Sequence, residues 1–310
     1  MHIYIEKRKN MLDPKINTLL TVYEENSFAQ AAKKLTLTQP AVSNQICQLE
    51  QQIGHTLCVR THNSLSFTPA GKIAVNYARR FKALYSQMLV DISEADACRH
   101  IKIGITQATG SNPIVTKALG QFITNNAGMN VTIIACPSNI LFEKLETYEF
   151  DIIIADTEPT SSLLASRILD SDQIFCIVGK GNALYGQSTI YLEDLKKERL
   201  ILNSPVSITR LVFESALESI HESIDNFNIG LEVDSNSTIK MLVKRNIAVS
   251  IMSRKNCLRE LDTRSFTAIP IHNLKINQEI YLVHRKDFLH THYLDEIQRL
   301  YGIYELSEYN

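Results

Sequence analysis

The sequence has no Cys-x-x-Cys pair, no glycine-rich phosphate or dinucleotide loop, no Gly-x-Ser-x-Gly elbow and no long apolar run. Its cysteines, Cys47, Cys58, Cys98, Cys136, Cys176 and Cys257, stand apart, with no histidine at a ligand-like interval. Structural zinc needs close-spaced pairs, so free and mostly buried thiols are expected, and no metal. The longest apolar runs, Ile152 to Ala155 and Ile174 to Val178, fall far short of the roughly 18 residues of a membrane-spanning helix. The first ten residues mix apolar and basic types without an apolar core and cleavage site, which makes a poor signal peptide and points to a cytoplasmic chain with no membrane partner. His290-x-His292 lacks a third ligand at a recognisable spacing and reads as the start of a surface helix. These absences argue against an enzyme and against a cofactor. The alternative from that class is a small-molecule-binding α/β enzyme whose catalytic residues come together only in the fold.

What is present is ordinary globular composition, 45% hydrophobic and 21% charged over 310 residues, a length suited to one small and one larger unit. The net charge of -1 conceals a division. Residues 1–90 hold 11 Lys and Arg against 5 Asp and Glu, whereas residues 91–310 hold 21 against 28. A basic front and an acidic remainder suggest that only the front meets a polyanion.

Within the front, Ile16, Leu19, Leu20 and Tyr23 share one stripe at helical spacing behind Pro14. Ser27 can cap a second helix that buries Phe28, Ala31, Ala32 and Leu35. After Thr36-Leu37, Thr38 can cap a third, with Pro40 in its first turn and Val42, Ile46 and Leu49 facing inward. Helix, tight turn and helix with a polar outer face make a helix-turn-helix, whose second helix fits a major groove. The outward set is Thr38, Gln39, Pro40, Ser43, Asn44 and Gln48. Gln39 and Asn44 can pair with adenine edges, and Ser43 and Thr38 can reach phosphates or bases. Because this set is neutral, phosphate attraction falls to Lys33, Lys34, Arg60 and His62. Residues 59–71 read as a two-stranded wing turning at His62 to Ser64, after which Thr68 and Pro69 start another helix. From Ala70 onward Ile73, Tyr77, Phe81, Leu84, Met88 and Ile92 line one face of about 25 residues. So small a first domain cannot cover that stripe, so a second copy of the helix is its natural partner.

The run Ser27-Phe-Ala-Gln-Ala-Ala32, Leu35, Thr38-Gln-Pro-Ala-Val-Ser43, Ile46, Leu49-Glu50, Gly54, Leu57, Arg60 and Leu65-x-Phe-Thr-Pro-Ala-Gly71 resembles the LysR-type transcriptional regulators. The resemblance implies an α/β chain with an N-terminal winged helix-turn-helix, a long linker helix and a two-lobed, periplasmic-binding-protein-like effector domain. It implies Met11 as an alternative start, with residues 1–11 an extension, 12–69 the DNA-binding domain, 70–97 the linker and 98–310 the effector domain. The lobes are expected at about 98–170 with 276–310, and about 171–275. The partners implied are double-stranded promoter DNA, a small-molecule effector, a homodimer through the linker helix that pairs into a tetramer, and RNA polymerase. Many members carry arginine where this chain has Asn44, and further basic residues near Cys47, Gln48, Asn63 and Ser64, so the operator does not transfer with the fold.

Independently of the family, short strands alternate with helices beyond residue 100, which suggests parallel sheets covered on both faces and two lobes around a cleft. Strands are expected at 101–105, 131–135, 151–155, 173–178, 230–234, 247–251 and 280–284. Helices are expected at 113–123, 140–147, 207–218 and 238–244, with a last one around 289–301. Ligands in such folds meet strand ends and helix N-termini. The candidates are Thr106, Gln107 and Thr109 after the first strand, Ser138 and Asn139 before the next helix, and Ser207, Thr209 and Arg210 in the second lobe. Threonine and serine there are equally good helix caps. Arg210, if it faces the cleft, favours a carboxylate, so the expected effector is small and polar or anionic. Relatives often have a glycine-rich turn where this chain has Val243-Lys-Arg-Asn246; Asn246 can take its left-handed position.

Overall fold

A computed structural model describes residues 11–61, 64–93 and 100–307. The chain divides into two compact units, residues 1–99 and, apart from 146–149, residues 100–310. In the first unit, α1 (Pro14–Glu25), α2 (Phe28–Leu35) and α3 (Gln39–Ile53) precede a hairpin of β1 (Cys58–Thr61) and β2 (Ser64–Phe67), and α4 (Pro69–Ser93) follows. The expected caps are in place. Ser27 Oγ accepts from Gln30 N–H at 3.3 Å, Thr38 Oγ1 from Ala41 N–H at 3.3 Å and Thr68 Oγ1 from Gly71 N–H at 2.9 Å. Each satisfies an amide that the first helical turn leaves orphaned. Leu19, Leu20, Phe28, Ala31, Val42 and Ile46 form the buried centre, and Tyr23 meets Phe67 edge-on with ring centroids 4.9 Å apart.

Two joints fix the hairpin. Glu50 Oε1, near the end of α3, accepts from the amides of Leu57 at 2.8 Å and Cys58 at 3.2 Å. Thr68 Oγ1 donates to Thr56 O at 2.7 Å, drawing the start of α4 against the same segment. The approach leaves no room for a side chain at residue 71, where a Cβ would sit 1.9 Å from Leu57 O.

The second unit begins with β3 (His100–Ile105), α5 (Gln107–Gly110), α6 (Pro113–Asn125), β4 (Asn130–Ala135), α7 (Ser138–Glu146) and β5 (Ile152–Ala155). A long strand, β6 (Leu164–Gly179), leads to α8 (Leu192–Lys197), β7 (Arg199–Leu202), α9 (Ile208–Glu218), β8 (Asn228–Glu232), α10 (Asn236–Lys244), β9 (Val249–Ser253), α11 (Leu258–Asp262) and β10 (Phe266–Ile269). The chain returns through β11 (Asn277–Arg285) and ends in α12 (Thr291–Ser307). Among the described residues the strands run in the order β4-β3-β5-β11-β6-β9-β7-β8, with β10 also paired to β6. One core gathers Ile103, Phe122, Ile152, Leu282, Leu294 and Tyr301, and another gathers Ile174, Leu200, Phe213, Phe227, Val249 and Ile269. Both draw on β6, and the first draws on β11 as well. No helix among the described residues is long and apolar enough to cross a membrane.

Several expectations need correction. The sheet is mixed: β3 pairs β4 and β5 in parallel, and β7 pairs β8 and β9 in parallel, but β5–β11, β11–β6, β6–β9 and β6–β10 are antiparallel. The chain passes between the two cores on strands, and no helical crossover intervenes there to make the pairing parallel. The strand expected at 173–178 is the second part of β6, whose first part is interrupted by Arg167, Asp170 and Asp172 and gains its order from β11. The strand expected at 247–251 begins at Val249, because Asn246 takes φ 55 and Ile247 N–H closes onto Leu242 O at 3.1 Å to end α10. Asn246 thus does hold the left-handed turn. Lys244 pairs with Glu260 at 3.7 Å.

Gly71→Ala should destabilise the chain by about 2–4 kcal/mol, since backbone and not a flexible side chain blocks the new methyl. Gly54→Ala, at φ 78 with open space around its Cβ position, should cost only about 1 kcal/mol. Urea unfolding of the two variants side by side checks the difference, and equal costs would contradict the tight joint.

Candidate nucleic-acid interface and effector cleft

On α3 the buried face is Val42 and Ile46, and Thr18 Oγ1 on α1 donates to Gln45 Oε1 at 2.5 Å, which fixes the helix about its axis. The opposite face carries Thr38, Gln39, Pro40, Asn44 and Gln48, all exposed, with Ser43 half-buried. Lys33 is exposed. Lys34 is exposed but contacts Glu25 at 2.7 Å and Glu24 at 3.2 Å, and the Glu25 hydrogen bond leads in raising its pKa. Such surface pairs are weak and exchange readily for other anions. The Arg60 backbone pairs with Leu65 in the hairpin; its side chain and all of His62 lie outside the described residues. The stripe on α4 is uncovered: Ile73, Tyr77, Phe81, Leu84, Met88 and Ile92 are 36–65% exposed.

In the second unit, β6 and β11 lie antiparallel with Asp172 opposite Gln278. Around that pair is a chamber of about 10 Å³, walled by Thr109, Asn112, Asp156, Asp172, Ser253, Asn256 and Gln278 with Ala108 and Ile280. That is room for one group the size of water. A larger open groove of about 640 Å³ shares Asp156 and Gln278 with it and adds Glu158, Glu279, Lys275 and the apolar Ile208, Leu211 and Val212.

Both carboxylates of the chamber are buried. Asp172 Oδ2 accepts from the Ser253 hydroxyl and from Lys255 N–H at 3.1 Å. Burial pushes its pKa up to about 6, with neighbouring Asp170 adding to the rise and the Ser253 and Lys255 N–H bonds opposing it. Asp156 is raised as well, by burial, while bonds from Ser138 and Thr106 hold it down. Behind Asp172, the Lys255 ammonium donates to Asp170 at 2.6 Å and to Glu305, and the Tyr301 hydroxyl also donates to Asp170. Burial and the Asp170 carboxylate push the Tyr301 phenol well up.

The residues expected at the cleft take different places. Thr106 caps α5 in a closed box, receiving Thr109 N–H at 3.2 Å while Thr109 Oγ1 receives Thr106 N–H at 3.0 Å. Thr109 lines the chamber, and its hydroxyl donates to Ile154 O at 3.1 Å. Ser138 Oγ donates to Asp156 Oδ1 at 2.9 Å. Gln107 and Asn139 are exposed. Ser207 stands at the α9 N-cap without a side-chain cap bond, and Thr209 Oγ1 donates to Gln278 Oε1 at 3.1 Å. Arg210 is a correction. Its guanidinium is held by Glu214 at 2.7 Å, Glu232 at 2.6 Å and Asn203 O at 3.1 Å, so its charge is neutralised inside the unit and offers nothing to an anion. Asn112, Asp156, Asp172, Ser253, Asn256 and Gln278 were not anticipated. Asp156 had a signal, a lone carboxylate directly after the all-apolar β5, at the strand end where ligands meet such sheets.

A winged helix-turn-helix joined to a two-core α/β unit with a polar cleft defines a DNA-binding regulator with a ligand-binding domain. Two family models match the chain, "Bacterial regulatory helix-turn-helix protein, lysR family" over residues 15–72 and "LysR substrate binding domain" over residues 94–298. The chain belongs to the LysR family and is a DNA-binding transcriptional regulator, not an enzyme. It is similar to a RuBisCO operon transcriptional regulator of Allochromatium vinosum, 23% identical with 86% of this chain and 87% of the relative covered. It is also similar to the transcriptional activator CmpR of Synechocystis, 23% identical with 90% of each covered. Among solved structures, the LysR family regulator CbnR has a TM-score of 0.63 at 18% identity, covering 94% of this chain and 99% of that one. A full-length OxyR variant from Pseudomonas aeruginosa has 0.61 at 17% identity, covering 97% and 96%. At these identities the structural likeness speaks for the fold.

The raised pKa of Asp172 has a signed consequence. A carboxyl whose folded pKa is about 6, above its ordinary 3.8, favours the fold when protonated, so its contribution is full below about pH 4 and is lost as pH rises through 6. Asp172→Asn should therefore stabilise the chain by about 2–3 kcal/mol at pH 8 and give no gain below about pH 4. Melting curves of both proteins across that range check it; a gain independent of pH would contradict the assignment.

Proposed function

We propose that α3 reads promoter DNA through Gln39, Ser43 and Asn44, with Thr38, Pro40 and Gln48 around them and Lys33, Lys34, Arg60 and His62 on the phosphates. A homodimer formed through α4 presents two such helices, and a small polar effector in the cleft of the second unit modulates the binding. The observation that carries the reading is the polar face of α3, exposed on a helix whose opposite face is locked into the core. Amide side chains there suit adenine edges and supply no long-range attraction. Most of the salt dependence then comes from the few cations beside them. Support for the dimer is the uncovered apolar stripe of α4, which a twin helix would bury. Thr109 lines the chamber, Thr106 and Ser138 brace Asp156 and Thr209 braces Gln278, and Gln107, Asn139 and Ser207 are assigned to the effector on the strength of their place in the chain. Assembly into a tetramer and contact with RNA polymerase rest on the family resemblance alone.

Gel shifts against genomic fragments at several salt concentrations test the DNA reading. A saturable preference for particular fragments is expected. Asn44→Ala should weaken the preferred fragment by about 1–3 kcal/mol while relaxing one base position, and Lys33→Ala should reduce the salt slope by about 0.9 without changing the preference. No preference for any fragment would overturn it.

Phe81→Glu with Leu84→Glu should convert the dimer to a folded monomer, because both positions are exposed on the single chain. Sedimentation at micromolar concentration reads this directly, and a wild-type chain that is already monomeric would end the dimer proposal.

A further inference from the structure

We infer that the effector is a primary alkylammonium compound, its charged head in the chamber between Asp156 and Asp172 and its chain in the adjoining groove; this rests on the proposed effector reading. Both carboxylates are nearly buried, 9% and 4% exposed, and both face the same small space. The cation beside them is already matched, since Lys255 is bonded to Asp170 and Glu305. Arg210 is matched by Glu214 and Glu232.

A second observation points the same way. Asn256 is 7% exposed and lines the chamber. Its backbone N–H donates to Ser253 at 3.4 Å and its backbone carbonyl accepts from Lys240 at 2.7 Å, yet its side-chain Oδ1 has no partner. A buried acceptor left without a donor is costly, so the arrangement is complete only when a donor arrives. Two carboxylates and one orphan amide oxygen are acceptors, whereas Asn112 and Gln278 add neutral amides to the wall and the Asn112 Nδ2 is the one orphan donor among them. An ammonium group carries three donors and no acceptor. It also fits a space made for one water. A carboxylate head would sit beside two like charges with only neutral amides, Asn112 foremost, to offset them.

The groove extends the argument to the rest of the ligand. It shares Asp156 and Gln278 with the chamber, so a chain attached to the head leads into it. Ile208, Leu211 and Val212 of α9 give that chain apolar contact. Glu158 and Glu279, against a single Lys275, keep the groove acidic, which admits a second ammonium and opposes an acid.

Calorimetric titration of the full chain at pH 8 tests the inference, with n-butylamine and 1,4-diaminobutane as cationic probes and butyrate and succinate as acids of matching length. Saturable heat from the amines and none from the acids is expected. Asp172→Asn and, separately, Asn256→Leu should each weaken amine binding at least tenfold while circular dichroism shows a folded chain. Saturable binding of the acids, no saturable amine binding, or folded variants that both keep wild-type amine affinity would each overturn it. A gel shift on the wild-type chain separates this from the regulatory reading. DNA binding without amine binding overturns only the cation, whereas amine binding without DNA binding overturns only the promoter-reading role.

Discussion

The second unit depends on a constraint carried by β6 with β11 antiparallel beside it: β6 must serve two apolar cores and yet cross the space between them. At its ends β6 supplies Leu164 and Leu169 on one side and Ile174, Cys176 and Val178 on the other, all buried. The middle cannot be apolar, because there the strands flank an opening that solvent or a ligand enters. It reads Asp170-Ser-Asp-Gln173 against Asn277-Gln-Glu279 and Ile280, with a register shift at Ile280 and Tyr281. Burying this polar stretch is tolerable only because Lys255, Tyr301, Ser253 and Thr209 supply donors to it. The side chains that hold the two cores together are therefore the ones that give the cleft its character.

The first unit solves a different problem, that of presenting a polar face rigidly from a small core. Glu50, Thr68 and the bare backbone at Gly71 lock hairpin and α4 to the end of α3, and Thr18 grips Gln45 from α1. The reading surface is left neutral. Discrimination on such a surface depends on amide geometry more than on charge, so rigidity of α3 matters more here than it would for a surface of arginines.

Legibility in the sequence follows the range of the interactions involved. The helices of the first unit are set by local signals, Ser27, Thr38 with Pro40 and Thr68 with Pro69, and by stripes read over a few turns, so their starts fall within a residue or two, while α3 runs three residues past Glu50 to Ile53. The strands β3, β4 and β5 were visible as short apolar runs. The first half of β6 was not, because its pattern is broken by charge and its order comes from β11, far along the chain. The hydroxyls legible near the cleft serve as braces for the groups that line it: Ser138 and Thr106 hold the Asp156 carboxylate, and Thr209 holds the Gln278 amide. Asp156, Asp172 and Asn256 converge only in the fold. Arg210 was the avoidable error, since Glu214 stands one helical turn away at the spacing where such pairs form.

The order of the elements has a consequence for how the protein is made. Phe122 and Ile152 emerge early, but the core that they enter is closed by Leu282, Leu294, Ile297 and Tyr301. The other core is assembled wholly from the intervening stretch, Ile174 to Ile276. On the ribosome the lobe begun first is finished last, and until β11 and α12 arrive its apolar face has no cover of its own. A chain stalled or cleaved before residue 280 would leave a complete inner lobe joined to an open, adhesive outer one.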